Sequence, residues 1–197
     1  MRKELATVGL ALAIMLGACA PATPPTESGA YLGPKAQGDG QAYGTDQEAI
    51  AGFRQLADIP DVLLESVGTD NMVNSPHGDL AVSVFQDQDG RRFLVEPTNH
   101  ILVEFDGRSS IAVGGDVNNP LSDTELSDRA LQIARASVPK FDSLSETLQY
   151  SAGNKGGLRF FDWRSQGSPD WLMPPFLQVG MLESGEVFAF INTVTLK

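Results

Sequence analysis

The sequence predicts an α+β protein built from two similar units, each a helix laid on a small antiparallel sheet. Two observations lead to this prediction. A helix-start signal occurs twice, and after each one the pattern changes to short runs of β-branched and aromatic residues. The units are predicted over residues 45–114 and 115–197, after a signal peptide over 1–18 and a flexible tether over 19–44.

Both predicted helices begin with the same sequence form. Residues 45–48 (TDQE) and 122–125 (SDTE) match a capping box, in which two side chains satisfy free backbone N–H groups. Apolar residues follow each box at helical spacing, and a proline then ends each helix because the residue before proline disfavours the helical conformation. The apolar residues are Ile50, Phe53, Leu56 and Ala57 in the first helix and Leu126, Ala130, Ile133 and Ala134 in the second.

Short β-type runs follow each helix. Those of the first unit cover residues 79–85, 91–96 and 101–105, and those of the second cover 158–163, 176–182 and 187–191. Turn signals at residues 87–90 and 184–185 separate neighbouring runs. Ile101, Val103 and Phe105 occupy alternate positions, as expected of the buried side of a half-buried strand.

The spacing of these signals indicates a duplication. The capping boxes begin 77 residues apart, and the helix-ending prolines lie 79 residues apart. Phe93 and Phe105 are separated by 12 residues, as are Phe176 and Phe188. The alternative is that one α+β chain carries the same order of elements twice by coincidence. Agreement in order, caps and hairpin length favours the duplication.

Residues 93–102 (FLVEPTNHIL) resemble the strand–turn–strand motif of PepSY-type (peptidase-propeptide-like) domains. Asn99 stands where the family's turn usually has Gly, and Asn tolerates the left-handed conformation. The second unit keeps residues 184–187 (SGEV) but lacks the preceding acidic-Pro pair. The resemblance spans residues 45–195 and implies a cystatin-like helix-on-sheet architecture and a binding or protease-modulating role. It implies no catalytic residues.

The start of the chain resembles a bacterial lipoprotein signal peptide. Arg2 and Lys3 precede a twelve-residue uncharged stretch, and residues 16–19 (LGAC) match the lipobox. The stretch is shorter than the roughly 20 residues that a membrane-spanning helix needs. The resemblance implies cleavage before Cys19 and acylation of Cys19, which would anchor the chain to the cell membrane or outer membrane on the extracytoplasmic side. Two alternatives stay open: an ordinary secretory cleavage site and a buried N-terminal helix.

The segment after the lipobox has the composition of a tether. Residues 20–44 contain four prolines and several glycines, with too little apolar surface to offset the conformational entropy of folding. Cys19 is the only cysteine, so no intramolecular disulfide can form. A spacer of this kind suits a domain that is held to a membrane by lipid on Cys19.

The charge of the chain argues against a nucleic-acid partner. The net charge is −11, and it becomes −12 when residues 1–18 are removed. An acidic chain of this kind is repelled by nucleic-acid phosphates and by anionic lipid headgroups. We therefore expect no nucleic acid to bind.

The sequence offers no catalytic constellation. His77 and His100 are the only histidines, both in predicted loops, and no Gly-x-Ser-x-Gly elbow occurs. Residues 85–96 have partial EF-hand spacing but begin with Phe, which cannot ligate calcium. Residues 153–157 (GNKGG) lack the ending of a phosphate-binding loop and predict a hairpin loop instead. We expect no cofactor, no metal and no enzyme activity.

Residues 168–176 (SPDWLMPPF) form an apolar, proline-bracketed loop that distinguishes the second unit. Its candidate binding residues are Trp171, Leu172 and Met173, because aromatic and methionine side chains are enriched at interfaces. The alternative is that they fold back over the sheet as core. We favour the core, because large exposed apolar patches are uncommon in monomers.

Binding is the function that these features predict. We expect a membrane-anchored exported module that binds another envelope or secreted protein, such as a protease. Two alternatives stay open: a small cell-envelope hydrolase that uses unidentified carboxylates, and a structural lipoprotein. A cleft with convergent carboxylates would favour the hydrolase, whereas a flat or apolar surface would favour the binding module.

Replacing Cys19 by serine tests the anchor. Acyl chains contribute roughly 0.8 kcal/mol of membrane binding per buried methylene, and without the thiol none can be attached. Cys19→Ser is therefore expected to move the protein from the membrane fraction to the soluble fraction, measured by fractionation and immunoblotting. Ser28→Ala, in the predicted tether, is the control and should stay in the membrane fraction. Retention of Cys19→Ser in the membrane would contradict the lipobox.

Overall fold

The structure is a computed structural model, which describes residues 43–72, 80–110, 119–166 and 174–196. All of them belong to one unit, Gly33–Lys197. Several residues singled out in the sequence lie outside the described ranges, so what was predicted for them stays a prediction. They are Cys19, His77, Trp171, Leu172 and Met173.

The described residues form an α+β fold with one antiparallel sheet of eight strands, three α-helices and a short 3-10 helix at Arg108–Ser110. The helices are α1 (Asp46–Ala57), α2 (Asp123–Ser137) and α3 (Phe141–Ser145). The strands are β1 (Leu64–Met72), β2 (Leu80–Asp87), β3 (Arg92–Glu96), β4 (Ile101–Asp106), β5 (Leu148–Lys155), β6 (Leu158–Ser165), β7 (Phe176–Leu182) and β8 (Val187–Asn192). The strand order is β1-β2-β3-β4-β8-β7-β6-β5, so β4 pairs with β8 at the centre and β1 and β5 are the edges.

Both long helices begin at the predicted N-cap residues, and α2 forms the complete capping box whereas α1 does not. In α1, the Thr45 hydroxyl accepts a hydrogen bond from the Glu48 N–H at 3.2 Å. The Glu48 carboxylate accepts a hydrogen bond from the N–H of Gly44 at 2.9 Å. In α2, Ser122 and Glu125 form both bonds of the box. Each cap satisfies backbone donors that the helix leaves unpaired, which contributes about 1 kcal/mol.

The helices pack on one face of the sheet and form the main hydrophobic core. The ring of Phe53 in α1 lies 5.3 Å from that of Phe105 in β4 and 5.1 Å from that of Phe190 in β8. The predicted apolar positions of α2 are all buried in the same cluster. Because β4 and β8 are the central strands, this cluster joins the N-terminal and C-terminal strands of the sheet under one layer of helices.

The packing of β4 differs from the predicted alternation. Leu102 and Phe105 belong to the helix-side core, whereas Ile101 and Val103 pack in a second cluster that includes Leu196. A β-bulge between β3 and β4 shifts the register of this pair and adds one residue to β4. The prediction that Ile101, Val103 and Phe105 share one side of the strand was therefore wrong.

Two edge strands and one short helix were not predicted. Most side chains of β1 and β5 are exposed, so neither strand carries an apolar pattern. α3 has five residues, too few for helical periodicity to show. The other six strands confirm the predicted runs to within two residues at each end.

Two hairpin turns depend on residues with positive φ. Gly156 and Gly157 have φ of 63° and 83° and connect β5 to β6, so the predicted loop 153–157 contains only a two-residue turn. In the β3–β4 turn, His100 has the left-handed conformation, with φ of 53°. The prediction that Asn99 takes this conformation was wrong. The backbone N–H and side-chain amide of Asn99 are instead held by hydrogen bonds to the turn's acidic residue.

A buried ionic network joins α1 to the β2–β3 hairpin. The Asp87 side chain is fully buried, and its Oδ2 accepts from Arg54 of α1 at 3.2 Å and from Arg91 at 2.7 Å. Its Oδ1 accepts the backbone N–H groups of Asp89 and Arg91, both at 3.0 Å. The Arg54 guanidinium also lies 5.0 Å from the ring centre of Phe93. The predicted turn at residues 87–90 is thus fixed by a helix far away in sequence.

Asp87→Ala tests this network. Removing one partner of a buried ion pair leaves the other charge uncompensated, so the free energy of unfolding is expected to fall by about 3–5 kcal/mol. Asp61→Ala is the matched control, because Asp61 pairs with the same Arg54 at 3.4 Å but its side chain is 96% exposed. In Asp61→Ala the free energy of unfolding should fall by less than about 1 kcal/mol. Urea denaturation measures both, and equal losses would show that the buried pair is not the stabilising one.

Candidate functional site

A groove of about 910 Å³ lies between α1, the α2–α3 connection, the β3–β4 turn and the C-terminal residues. Apolar groups contribute most of its lining, together with the polar side chains of Glu96, Thr98, Asn99, His100, Ser137, Lys140 and Thr195. The apolar part includes Leu80, Ile101, Leu102, Leu144, Val194 and Leu196. An apolar cleft of this size with few polar groups has the usual make-up of a ligand-binding site.

Tyr43 lies along the groove because α1 has a glycine at position 52. A Cβ at Gly52 would lie 2.2 Å from the Tyr43 hydroxyl oxygen, so a larger residue would displace the ring. Glycine within a helix lowers the stability of the fold by about 0.5–1 kcal/mol relative to alanine. The packing of Tyr43 against α1 explains why glycine stands at position 52. Burial raises the pKa of Tyr43 above its ordinary value of 10.0. The phenol is therefore protonated at neutral pH and can donate a hydrogen bond.

His100 and Asp46 connect the β3–β4 turn to the first residue of α1. His100 Nδ1 lies 2.6 Å from Asp46 Oδ1, although 54 residues separate them. The turn position predicted for His100 is confirmed, but its ring is only 30% exposed and is held by this contact. The carboxylate also lies at a helix N-terminus, which favours negative charge. His100 lines the groove whereas Asp46 does not, and Nε2 is the ring nitrogen that Asp46 does not contact.

Glu96 lines the groove, but its carboxylate is used by the turn. The carboxylate accepts the N–H groups of Thr98 and Asn99 at 2.8 and 2.9 Å, and also the Asn99 amide at 2.9 Å. Burial raises the pKa of Glu96, but these hydrogen bonds together outweigh it and hold the pKa below its ordinary value. A carboxylate of this kind is a poor general acid at neutral pH. Glu96 therefore fixes the turn.

Lys140 places a positive charge at the rim of the groove. It lies between α2 and α3 in the left-handed conformation, with φ of 57°, and its side chain is exposed. The chain around it is strongly acidic, with a net charge of −11. Because Glu96 is held by the turn, Lys140 is available to a negatively charged group that enters the groove.

Glu104 and Asp106 form a pair of carboxylates with diverging pKa values outside the groove. They lie two residues apart on β4 and point to the same side of the sheet. Burial raises the pKa of Glu104, and the charge of Asp106 raises it further. Two hydrogen bonds from the Arg108 guanidinium, of 2.9 and 2.7 Å, hold the pKa of Asp106 below its ordinary value. Divergent carboxylates of this kind occur in acid–base hydrolases.

Comparison with known proteins gives no assignment, since no family model, no curated protein and no solved structure matches the chain. In the described ranges, no helix is both long enough and apolar enough to cross a membrane. The same ranges hold no cluster of three or more metal-ligating side chains. The class of protein is therefore defined by the fold and the groove alone: an α+β protein with a largely apolar cleft.

The groove contains some residues that the sequence singled out and others that it did not. Glu96 and His100 come from the predicted turn, and both line the groove. Tyr43 and Lys140 were not identified, because each reaches the groove only through tertiary packing. Gly52 within a helix was the one local signal of a side chain packed against α1.

Glu96→Gln and Glu104→Gln are expected to change stability in opposite directions at pH 7. The folded pKa of Glu96 is lowered, so its contribution is present above the unfolded value of 4.5 and is lost as pH falls through the folded pKa. The folded pKa of Glu104 is raised, so its ionisation destabilises the fold as pH rises from 4.5 through the folded pKa. Glu96→Gln should therefore destabilise and Glu104→Gln should stabilise.

Urea denaturation between pH 3 and pH 8 measures both effects. Glu104→Gln should match the unsubstituted chain well below pH 4.5, because Glu104 is then protonated in the folded and unfolded states. Glu146→Gln, at an exposed position after α3, is the control. A destabilised Glu104→Gln at pH 7 would contradict the raised pKa.

Proposed function

We propose that this chain is an exported, lipid-anchored module that binds a segment of another envelope or secreted protein. The observation that supports binding is the groove beside the β3–β4 turn, which combines an apolar lining with a few polar groups. The anchor rests on the sequence around Cys19. The extracytoplasmic location, in the cell membrane or outer membrane, is part of the same proposal.

The groove suits a polypeptide segment that carries apolar side chains and one acidic group. Its apolar lining offers surface to side chains such as leucine or phenylalanine, which gain about 25 cal/mol for each Å² removed from water. Lys140 at the rim offers an ammonium group to a carboxylate, and protonated Tyr43 offers a hydrogen-bond donor. A protease is the partner that the PepSY-like resemblance suggests. The Trp171 loop stays a second predicted contact.

We also propose that residues 45–114 and 115–197 are two copies of one cystatin-like unit. Each range begins with a long helix and has four antiparallel strands, and the second range adds the short helix α3 before its strands. The strand order is the same when read inward from either edge. The β3–β4 and β7–β8 hairpins both carry a β-bulge, and the extra residues are Val103 and Phe188. The two bulges lie at the same place after their turns, which supports a common origin because bulges are retained within protein families. They align Phe188 with Val103 rather than with Phe105, so the equal Phe93–Phe105 and Phe176–Phe188 spacings do not mark equivalent positions.

The second candidate function is a small cell-envelope hydrolase, and the Glu104–Asp106 pair is the observation that favours it. Glu104, with its raised pKa, would be the general acid, and Asp106 would stay ionised. Against this, Asp106 is held by Arg108 and neither carboxylate lines the groove. Loss of cell-wall-degrading activity in a stable Glu104→Gln protein would favour the hydrolase over the binding module.

Lys140→Glu tests the groove as the binding site. Reversing the charge at the rim places a carboxylate opposite the partner's acidic group, so capture of the partner is expected to fall at least about tenfold, or 1.4 kcal/mol. The measurement is in-cell crosslinking of tagged full-length protein, followed by quantitative mass spectrometry of the co-purified proteins.

Arg135→Glu is the matched control for this test. It makes the same charge change on α2, where Arg135 is exposed and pairs with Asp142 at 2.8 Å outside the groove lining. Capture should be unchanged, since exposed pairs contribute little. Equal losses in both variants would show a dependence on net charge rather than on the groove. The absence of any specific partner would contradict the binding function.

A further inference from the structure

We infer that two copies of this chain pair through their β5 strands and continue the sheet across a two-fold axis. β5 is an edge strand whose pairing with β6 is regular over all eight residues, from Leu148 to Lys155. Seven of these eight residues are exposed. The outer side of β5 therefore presents backbone N–H and C=O groups in the regular geometry that another strand needs.

The opposite edge of the sheet lacks this regularity. The register of β1 with β2 is interrupted at Val67, and Gly68 has φ of 129°. β1 also carries the acidic residues Glu65 and Asp70. Bulges and charges on an edge strand are the features that prevent pairing with another chain. β5 has no bulge, and residues 148–154 contain no charge.

The turn after β5 decides which backbone groups point outward. Gly156 and Gly157 both have positive φ, as in a type I′ two-residue hairpin turn. The residues that flank such a turn, Lys155 and Leu158, form a hydrogen-bonded pair, and the bonding alternates along the strand from there. The residues whose backbone groups point away from β6 are therefore Leu148, Tyr150, Ala152 and Asn154.

These four residues are arranged symmetrically about Ser151. When two β5 strands run antiparallel around a two-fold axis at Ser151, Tyr150 lies opposite Ala152 of the second copy. Leu148 then lies opposite Asn154 of the second copy. Every outward backbone group finds a partner, with about eight hydrogen bonds in all. An axis perpendicular to the sheet also keeps the helices of both copies on the same side.

The charges at the two ends of β5 favour a second copy over an unrelated peptide. Glu146 precedes the strand and Lys155 ends it, and both are exposed. In the antiparallel register each Lys155 comes close to Glu146 of the second copy, so the edge is complementary to itself. The nearby Arg159 and Arg164 already pair with carboxylates of their own chain.

The side chains of β5 permit close approach. Ser151, Ala152 and Gly153 are small, and a Cβ built at Gly153 meets nothing within 4 Å. Tyr150 is 46% exposed and is positioned by Trp163, at 5.3 Å between ring centres. Pairing would cover part of this ring, because Ala152 of the second copy lies opposite it.

A single cysteine tests the register. In the proposed pair, Ser151 faces itself at a non-hydrogen-bonded position, where Cα atoms lie about 4.5 Å apart, within the range that a disulfide spans. The full-length chain with Cys19→Ser and Ser151→Cys is therefore expected to form a disulfide-linked dimer as its main product under mild oxidation. Non-reducing gels and intact-mass measurement show the product.

Two further cysteine variants are matched controls. Gln149→Cys and Gly153→Cys, each alone, should give little dimer, because their equivalents in the two copies lie about 13 Å apart. An equal mixture of the two should give the mixed dimer, because these positions lie opposite each other in the register. Equal dimer yields from all single variants, or none from Ser151→Cys, would overturn the proposal.

Sedimentation velocity of the full-length Cys19→Ser chain tests the pairing without a crosslink. A dimer is expected, and Ala152→Pro should weaken it at least tenfold, because proline removes an outward N–H while leaving the bonds to β6 intact. Ala152→Val is the control and should keep the dimer. A monomer at all concentrations, or capture by β5 of a different protein instead of a second copy, would overturn the proposal. Lys140→Glu leaves this edge unchanged, so the groove can fail its test independently.

Discussion

The contact of Phe53 with Phe105 and Phe190 is the interaction on which the rest of the structure depends. One ring from α1 packs on the two central strands, and those strands belong to the first and the second half of the sheet. Because the β4–β8 pairing makes the sheet continuous, the apolar area buried under the helices forms one cluster rather than two small ones. A larger continuous core gives a chain of this size a greater share of buried surface.

The groove is a consequence of the same arrangement. The Asp87 network holds α1 against the β2–β3 hairpin, and the His100–Asp46 contact holds the start of α1 against the β3–β4 turn. Glu96 fixes the shape of that turn through three hydrogen bonds. The polar groups around the groove are therefore largely occupied in positioning its walls. Among the lining groups, Tyr43, Lys140, the Ser137 hydroxyl and Nε2 of His100 have no such positioning role.

The two edges of the sheet differ, and the difference has a functional meaning. β1 is interrupted by a bulge and is acidic, whereas β5 is regular and nearly uncharged. Continuous sheets require protection at both ends, unless one end is meant to pair. The groove lies beside the β3–β4 turn and the sheet edge lies along β5, so the proposed partner binding and the proposed self-association use separate surfaces.

Local signals in the sequence determined where the two long helices begin, which runs form six of the eight strands, and where the hairpins turn. Capping boxes, helical spacing and turn residues act over a few neighbours, so one chain segment is enough to read them. The predicted lipobox at Cys19 rests on a local motif in the same way. The exposed edge strands escaped detection, because a strand that buries little carries no apolar pattern.

Only the tertiary structure decided which residues come together around the groove and on each side of the sheet. The bulge that moves Val103 away from the side of Phe105 depends on pairing between β3 and β4, and no residue pattern within β4 announces it. The contact of His100 with Asp46, 54 residues earlier, and that of Tyr43 with Gly52 likewise depend on tertiary packing. These contacts join segments that folding brings together, so their geometry is set by packing rather than by neighbouring residues.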